Sequence, residues 1–188
     1  MSRVIDIQLS VTAIQRVIDE LNDKTFYSRL ANAILNRLTQ IGIEKARIKF
    51  ANAKYAGELK PVDITATVNG NKAEIRASGE QVLFIEFGTG VRYENPHMLE
   101  YDFYAGSYGD GHGHDPWGWW YWGSPQPNDP EDTEVAKRFD KDRNVKKERE
   151  GWMHTYGNPA NMPMYETQKE LEGELVNIVR EAWNDIQA

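Results

Sequence analysis

The sequence predicts an α+β domain: N-terminal helices and a C-terminal helix packed on a small antiparallel sheet, with a long aromatic, glycine-rich insertion. Three observations point there. Apolar residues recur at helical spacing towards both ends of the chain. The spacing switches to two in the middle. A stretch crowded with glycine, tryptophan and tyrosine then separates that middle from the last helix. With 188 residues the chain is long enough for a single domain, 1–188, with a real core, and 92–150 is assigned as an extended insertion loop within it.

Residues 4 to 9 alternate, with Ile5, Ile7 and Leu9 on one side, which predicts a short strand. Ser10 is placed to cap a helix carrying Val11, Ile14, Val17, Ile18 and Leu21 on one face, interrupted at Asn22 and Asp23. A second helix is expected over roughly 24–41, from the stripe Phe26, Tyr27, Leu30, Ile34, Leu38 and Ile41, with Gly42 ending it. Ile48 and Phe50 then open the period-two region. Ile64, Ala66 and Val68 precede an Asn69-Gly70 turn, and Ala73, Ile75 and Ala77 follow it, the pattern of a hairpin. The apolar run in "GEQVLFIEFGTG" fits a buried strand or a single helical turn, and periodicity does not choose between them.

From Tyr93 to Gly123 there are ten aromatic residues and six glycines, ending in "WGWWYWG". Residues 131–150 carry seven acidic and seven basic side chains, a balance expected of a solvated helix or mobile loop. Pro163 suits the first turn of the last helix, whose apolar stripe is Leu171, Leu175, Ile178, Ala182 and Ile186.

Composition excludes several classes. No cysteine is present, so disulfide frameworks and cysteine-ligated zinc or iron–sulfur sites are out. The start, "MSRVIDIQLS", lacks the basic lead and apolar run of a secretory signal, and no run reaches the ~18 apolar residues of a membrane span. A net charge of −7 opposes duplex binding, which depends on Lys and Arg neutralising phosphates. The "GTG" of residues 88–90 lacks both the Walker lysine and the G-x-G-x-x-G spacing, so it reads as a tight turn needing glycine. No serine sits in a nucleophile-elbow setting, and no catalytic residue or cofactor is assigned.

Two constellations carry a functional alternative. "DGHGHD" offers Asp110, His112, His114 and Asp115 to a divalent metal, although a glycine-rich loop supports ligands poorly; the other histidines are His97 and His154. The cluster Trp117, Trp119, Trp120, Tyr121 and Trp122, with Trp152, suits stacking on sugars or bases, or anchoring a subunit interface. Five of the six tryptophans lie between Trp117 and Trp152, more than a core of this size readily hides, so the interface is preferred. The metal and tryptophan residues together define the alternative of a metal-dependent or carbohydrate-active enzyme, or a carbohydrate-binding module.

Three segments taken together resemble a known family. They are "NGNKAEIRASGEQVLFIEFGTG", the "WGWWYWG" cluster, and "GWMHTYGNPANMPMYETQKELE". They are similar to the tail-component proteins of long-tailed bacteriophages that act in the neck, the head–tail joining, tail-completion and tail-terminator proteins. The likeness covers about residues 10–92 and 150–185. Where that family has a Pro-Phe pair, this chain has Met162-Pro163-Met164, and methionine fills the same kind of apolar pocket.

The resemblance implies a structural virion protein and no enzyme. It implies a homo-oligomeric ring of six or twelve copies between the head connector, adaptor or head-completion protein and the tail terminator or tail tube. Genomic DNA would pass without sequence-specific contact, which an acidic ring suits. The place of action would be the virion, after assembly in the host cytoplasm. Glu86, Phe87, Gly88, Thr89, Gly90 and Pro163 would then form a structural turn, with Phe84, Ile85 and Phe87 anchored in the core.

Overall fold

A computed structural model describes residues 24–90, 93, 115–140 and 145–187. The strand expected over 4–9 and the helix expected over 11–21 lie outside the described residues. The elements are α1 (Lys24–Ala51), β1 (Asp63–Asn69), β2 (Lys72–Ser78), α2 (Val82–Phe87), β3 (Trp119–Trp122), β4 (Glu134–Asp140), β5 (Val145–Thr155) and α3 (Pro163–Gln187). The fold is α+β, with two small antiparallel sheets, β1-β2 and β3-β5-β4.

Helix α1 does not end at Gly42 but continues to Ala51. A mid-helix glycine costs about 1 kcal/mol against alanine, and packing offsets it here. An added Cβ would lie 2.2 Å from Ile75 Cδ1 and 3.1 Å from Leu171 Cδ1, so the missing side chain is the space that β2 and α3 occupy. Ile48 and Phe50 are therefore helical, and their period-two appearance misleads. Ala46 and Phe50, one turn apart, are buried, while Ile48 is 55% exposed.

Helices α1 and α3 run antiparallel. Arg37 pairs with Glu181 at 2.8 Å and with Asp185, Lys45 with Glu170 at 2.8 Å and Glu174 at 3.1 Å, and Lys49 with Glu170 at 2.7 Å. The β1-β2 hairpin packs on α1 next to α3, Ile75 and Leu171 both meeting it at Gly42, and Ile85 of α2 joins the core there. Ala46, Phe50, Ala53, Ile64 and Ile85 form the buried centre, with Ile43, Ile75, Val82 and Met164 packed around it.

The hairpin turn differs by one position from the expected one. Asn69 pairs with Lys72, so Gly70 and Asn71 are the central residues. Only Gly70 has positive φ, at 60°, the pattern of a turn with glycine first rather than of an Asn-Gly pair. The run before "GTG" is one and a half turns of helix, α2.

Among the described residues of 119–150, the segments Trp119–Trp122, Glu134–Asp140 and that from Val145 onward are strand rather than loop. The last of these, β5, continues beyond 150 to Thr155. The charged stretch expected as helix or loop contributes β4 and the first half of β5. Lys137, Arg138 and residues 147–150 are exposed, and the β4-β5 ladder carries a register shift between Val135 and Lys137.

Candidate functional site

Two groups of predicted residues need placing: the turn at 86–90 with Pro163, and the aromatic cluster. The turn residues converge on the segment 156–165. The backbone of α2 receives the incoming chain, with Asn161 N–H donating to Ile85 O at 2.9 Å and Met162 N–H to Glu86 O at 3.1 Å. The Glu86 side chain caps α3, accepting Met164 N–H on Oε2 at 2.9 Å and Tyr165 N–H on Oε1 at 3.0 Å. A helix start leaves backbone donors without intrahelical partners, and a carboxylate there also complements the helix dipole. Pro163, fully buried, opens the helix where no N–H is needed.

Glu86 is itself buried. Burial pushes its carboxyl above the ordinary value, against the pull of the two backbone donors. Met162, just before the helix, holds φ at 52°, a left-handed conformation that non-glycine residues seldom adopt.

Thr89 and Asn158 form an isolated antiparallel bridge. Thr89 N–H donates to Asn158 O at 2.8 Å and Asn158 N–H to Thr89 O at 3.1 Å. Gly88 and Gly90 have φ of 75° and 85°. A Cβ on Gly88 would sit 2.7 Å from Ala160 N and Asn158 O, and one on Gly90 2.4 Å from Tyr156 O. Glycine is thus required twice over, for conformation and for the approach of two backbones. Phe87 is half-buried beside this turn.

Asn158 and Asn161, which sequence inspection passed over, complete the hub by imitating backbone. Asn158 Oδ1 accepts Ala56 N–H at 2.6 Å. Asn161 Oδ1 accepts Lys54 N–H at 2.7 Å while its Nδ2 donates to Lys54 O at 2.9 Å. Their setting in "GNPANMP" was the available signal, since asparagine beside glycine and proline marks side-chain-to-backbone bonding.

The aromatic cluster divides by strand alternation. Trp120 is opposite His154 and Trp122 opposite Trp152, so these four share one face; Trp119 opposite Thr155 and Tyr121 opposite Met153 share the other. Thr155 and Met153 are buried, which makes the second face internal. Trp119 and Tyr121 therefore belong to the protein's own packing. The Tyr121 hydroxyl is buried beside the Asp129 carboxylate without a hydrogen bond of normal geometry, and burial first, then that charge, pushes its phenol up to about 12.

The outer face is a ladder of rings. Trp122 meets Trp152 edge-on with centroids 5.8 Å apart, Trp120 meets His154 at 5.1 Å, and His154 meets Tyr156 at 4.8 Å. The Arg149 guanidinium lies 4.1 Å over the Trp152 ring. A carbonyl only accepts, so His154 donates from Nε2 to Trp117 O, 3.0 Å away. Despite these contacts Trp117 is 79%, Trp122 72% and Trp120 52% exposed. Trp120 and Trp122 on one sheet face, with Trp117 in the turn before β3, give three exposed tryptophans, more than surfaces commonly carry without a partner.

Two glycines permit this face. A Cβ on Gly118 would lie 2.1 Å from Thr155 O, and one on Gly151 2.5 Å from the Trp122 ring that covers it. The loop before β4 anchors the sheet to the end of α1. Tyr55 N–H donates to Asn128 O at 2.9 Å, Asn128 Nδ2 to Tyr55 O at 3.1 Å, and Gly57 N–H to Asp129 Oδ1 at 2.8 Å.

Of the metal candidates, Asp110, His112 and His114 lie outside the described residues, as does His97. Asp115 instead accepts Trp117 N–H at 2.9 Å in a local turn. Among the described residues no three His, Asp or Glu side chains group as a metal site, and no helix is long and apolar enough to cross a membrane. Comparison with family models, with curated proteins and with solved structures returns no match to the chain.

Proposed function

We propose that this chain is a structural virion protein of the phage neck, forming a closed ring of six or twelve copies that joins the DNA-filled head to the tail. The observation that carries the proposal is the outer face of β3 and β5. Trp120 and Trp122 are positioned by β-pairing with their rings in solvent, and Trp117, in the turn before β3, is exposed as well. Preorganised aromatic side chains lose little entropy on contact and bury large area, the usual character of an interface anchor. The resemblance adds support, because Glu86 caps the helix that Pro163 opens while Gly88 and Gly90 lie against the backbone of 156–160 just before it. On this proposal the tryptophans contact a neighbouring copy or the adjoining head or tail ring. Heterologous contacts of one kind close into a ring when the rotation permits. The chemistry is assembly rather than catalysis.

Light scattering on the purified chain, with electron microscopy of the same sample, tests this. The expected result is a ring of six or twelve copies that the pair Trp120→Ser and Trp122→Ser converts to monomer. A wild-type chain that stays monomeric and binds a glycan through the same tryptophans would replace the neck assignment with a carbohydrate-binding module.

A further inference from the structure

Two apolar surfaces of this chain are exposed, and they are separate. One is the outer face of β3, where Trp120 and Trp122 are 52% and 72% exposed. The other is a groove of about 770 Å³ between β2, α2 and α3. Leu38, Leu83, Leu171 and Leu175 give the groove its apolar walls, and Leu83 and Leu175 are 52% and 42% exposed. Among the described residues nothing of β3, β4 or β5 lines the groove, so a chain does not seat its own exposed indoles there.

The two surfaces match in shape and spacing. Trp120 and Trp122 are two residues apart on one face of a strand, about 7 Å at ~3.4 Å per residue. Leu171 and Leu175 are four apart on α3, about 6 Å at ~1.5 Å per residue. Successive indoles therefore meet successive leucines when the strand lies along the helix. Rings that project from a sheet suit a concave site, and a cavity of this size buries most of a drug-sized ligand.

Charge matches as well. The exposed Arg149 guanidinium lies over Trp152, beside Trp122 on the aromatic face. The groove carries the exposed carboxylates of Glu74 and Glu172. Arg76 binds Glu74 at 3.0 Å, whereas Lys169 stands 3.6 Å from Glu172, an exposed pair of the weak kind. Glu172 thus remains open to a guanidinium, which binds a carboxylate with two parallel donors. Because the two surfaces differ, the contact between copies is heterologous, the tryptophans of one meeting the groove of the next. We propose that Trp120 and Trp122 of each copy insert into the β2–α2–α3 groove of a second copy, with Arg149 towards Glu172. The inference rests on the reading of the chain as a self-assembling subunit and names the surface that receives its tryptophans.

Complementation between two variants of the full chain is the test, read by light scattering. Trp120→Ser with Trp122→Ser keeps the groove, and Leu83→Lys with Leu175→Lys keeps the aromatic face. Each double variant alone should be monomeric. Their equimolar mixture should form a one-to-one dimer and nothing larger, because a single productive contact remains. Thermal melts check that the lysine pair, at exposed positions, stays folded. Should it unfold, Glu172→Lys takes its place: it should weaken self-association at least about tenfold, and Arg149→Glu added to the same chain should restore it. A folded groove variant that assembles like the wild type, a mixture that stays monomeric, or a charge reversal without rescue overturns the proposal and leaves the neck assignment standing. A wild type that stops at a dimer, with the mixture still pairing, supports the contact and removes the ring. A monomeric wild type overturns both.

Discussion

The Glu86 carboxylate accepts the Tyr165 backbone N–H at 3.0 Å, across 79 positions of sequence, while its other oxygen takes Met164 N–H. One side chain thereby joins the end of α2 to the start of α3. Glu86→Ala leaves two buried donors unpaired and is expected to cost about 2 kcal/mol. Urea unfolding at neutral pH measures it. The pH dependence follows from the raised carboxyl. The folded state holds this proton more tightly than the unfolded chain, so the contribution of Glu86 to stability falls as pH rises through its folded value, above the ordinary 4.5. Glu86→Gln should abolish that component. A cost below about 0.5 kcal/mol for Glu86→Ala would contradict the capping role.

Glycine positions separate by space as well as by φ. Gly88→Ala and Gly90→Ala, where a Cβ meets backbone at 2.7 and 2.4 Å, should each cost at least about 2 kcal/mol. Gly70→Ala has φ of 60° but nothing within 4 Å, so only the ~1 kcal/mol conformational cost is expected. Gly173→Ala, in open space on α3, should stabilise by up to about 1 kcal/mol. Thermal melts of the four variants check the order, and equal losses at Gly70 and Gly90 would contradict it.

Acid unfolding reads the α1–α3 ladder. Hydrogen bonds from Lys45 and then Lys49 hold Glu170 at about 2, below its ordinary 4.5. A carboxylate depressed in the folded state stabilises above its unfolded value and loses that contribution as pH falls from 4.5 towards 2. Glu170→Gln should flatten stability against pH in that window and leave the slope above pH 6 unchanged. Added salt should weaken the effect, because the pair is partly exposed. A wild-type slope that Glu170→Gln does not alter would remove the ladder from acid stability.

The two faces of β3 should respond differently to truncation. Trp120→Ala and Trp122→Ala each remove exposed rings with edge contacts and should lower stability by about 1 kcal/mol or less. Trp119→Ala, on the internal face, should cost about 3 kcal/mol. Equal losses at Trp119 and Trp120 would mean that the alternation of faces is wrong.

Tyr121→Phe removes a buried hydroxyl lacking a hydrogen bond of normal geometry, so stability should be unchanged or higher by up to about 1 kcal/mol. Denaturant melts measure it. A loss above about 1.5 kcal/mol would show that the hydroxyl bonds to Asp129 in solution.

Much of the scaffold was legible in local pattern. Helical spacing located α1 and α3, Pro163 marked where α3 begins, and alternation around Gly70 located the hairpin. The glycines of "GTG" announced a turn that side chains would obstruct. These features depend on residues a few positions apart, which is the range over which periodicity and turn chemistry act.

Tertiary structure decided the rest. Gly42 reads as a helix end, yet Ile75 and Leu171 fill the space it leaves and the helix continues. Glu86 reads as a lone acid among phenylalanines until α3 arrives with two N–H groups to cap. "WGWWYWG" reads as one cluster, but pairing with β5 turns Trp119 and Tyr121 inward and Trp120 and Trp122 outward. In each case the deciding partner lies far along the chain. Local composition states which surface is apolar or which backbone is permissive; only the meeting of distant segments determines what covers that surface and which buried polar group finds its match.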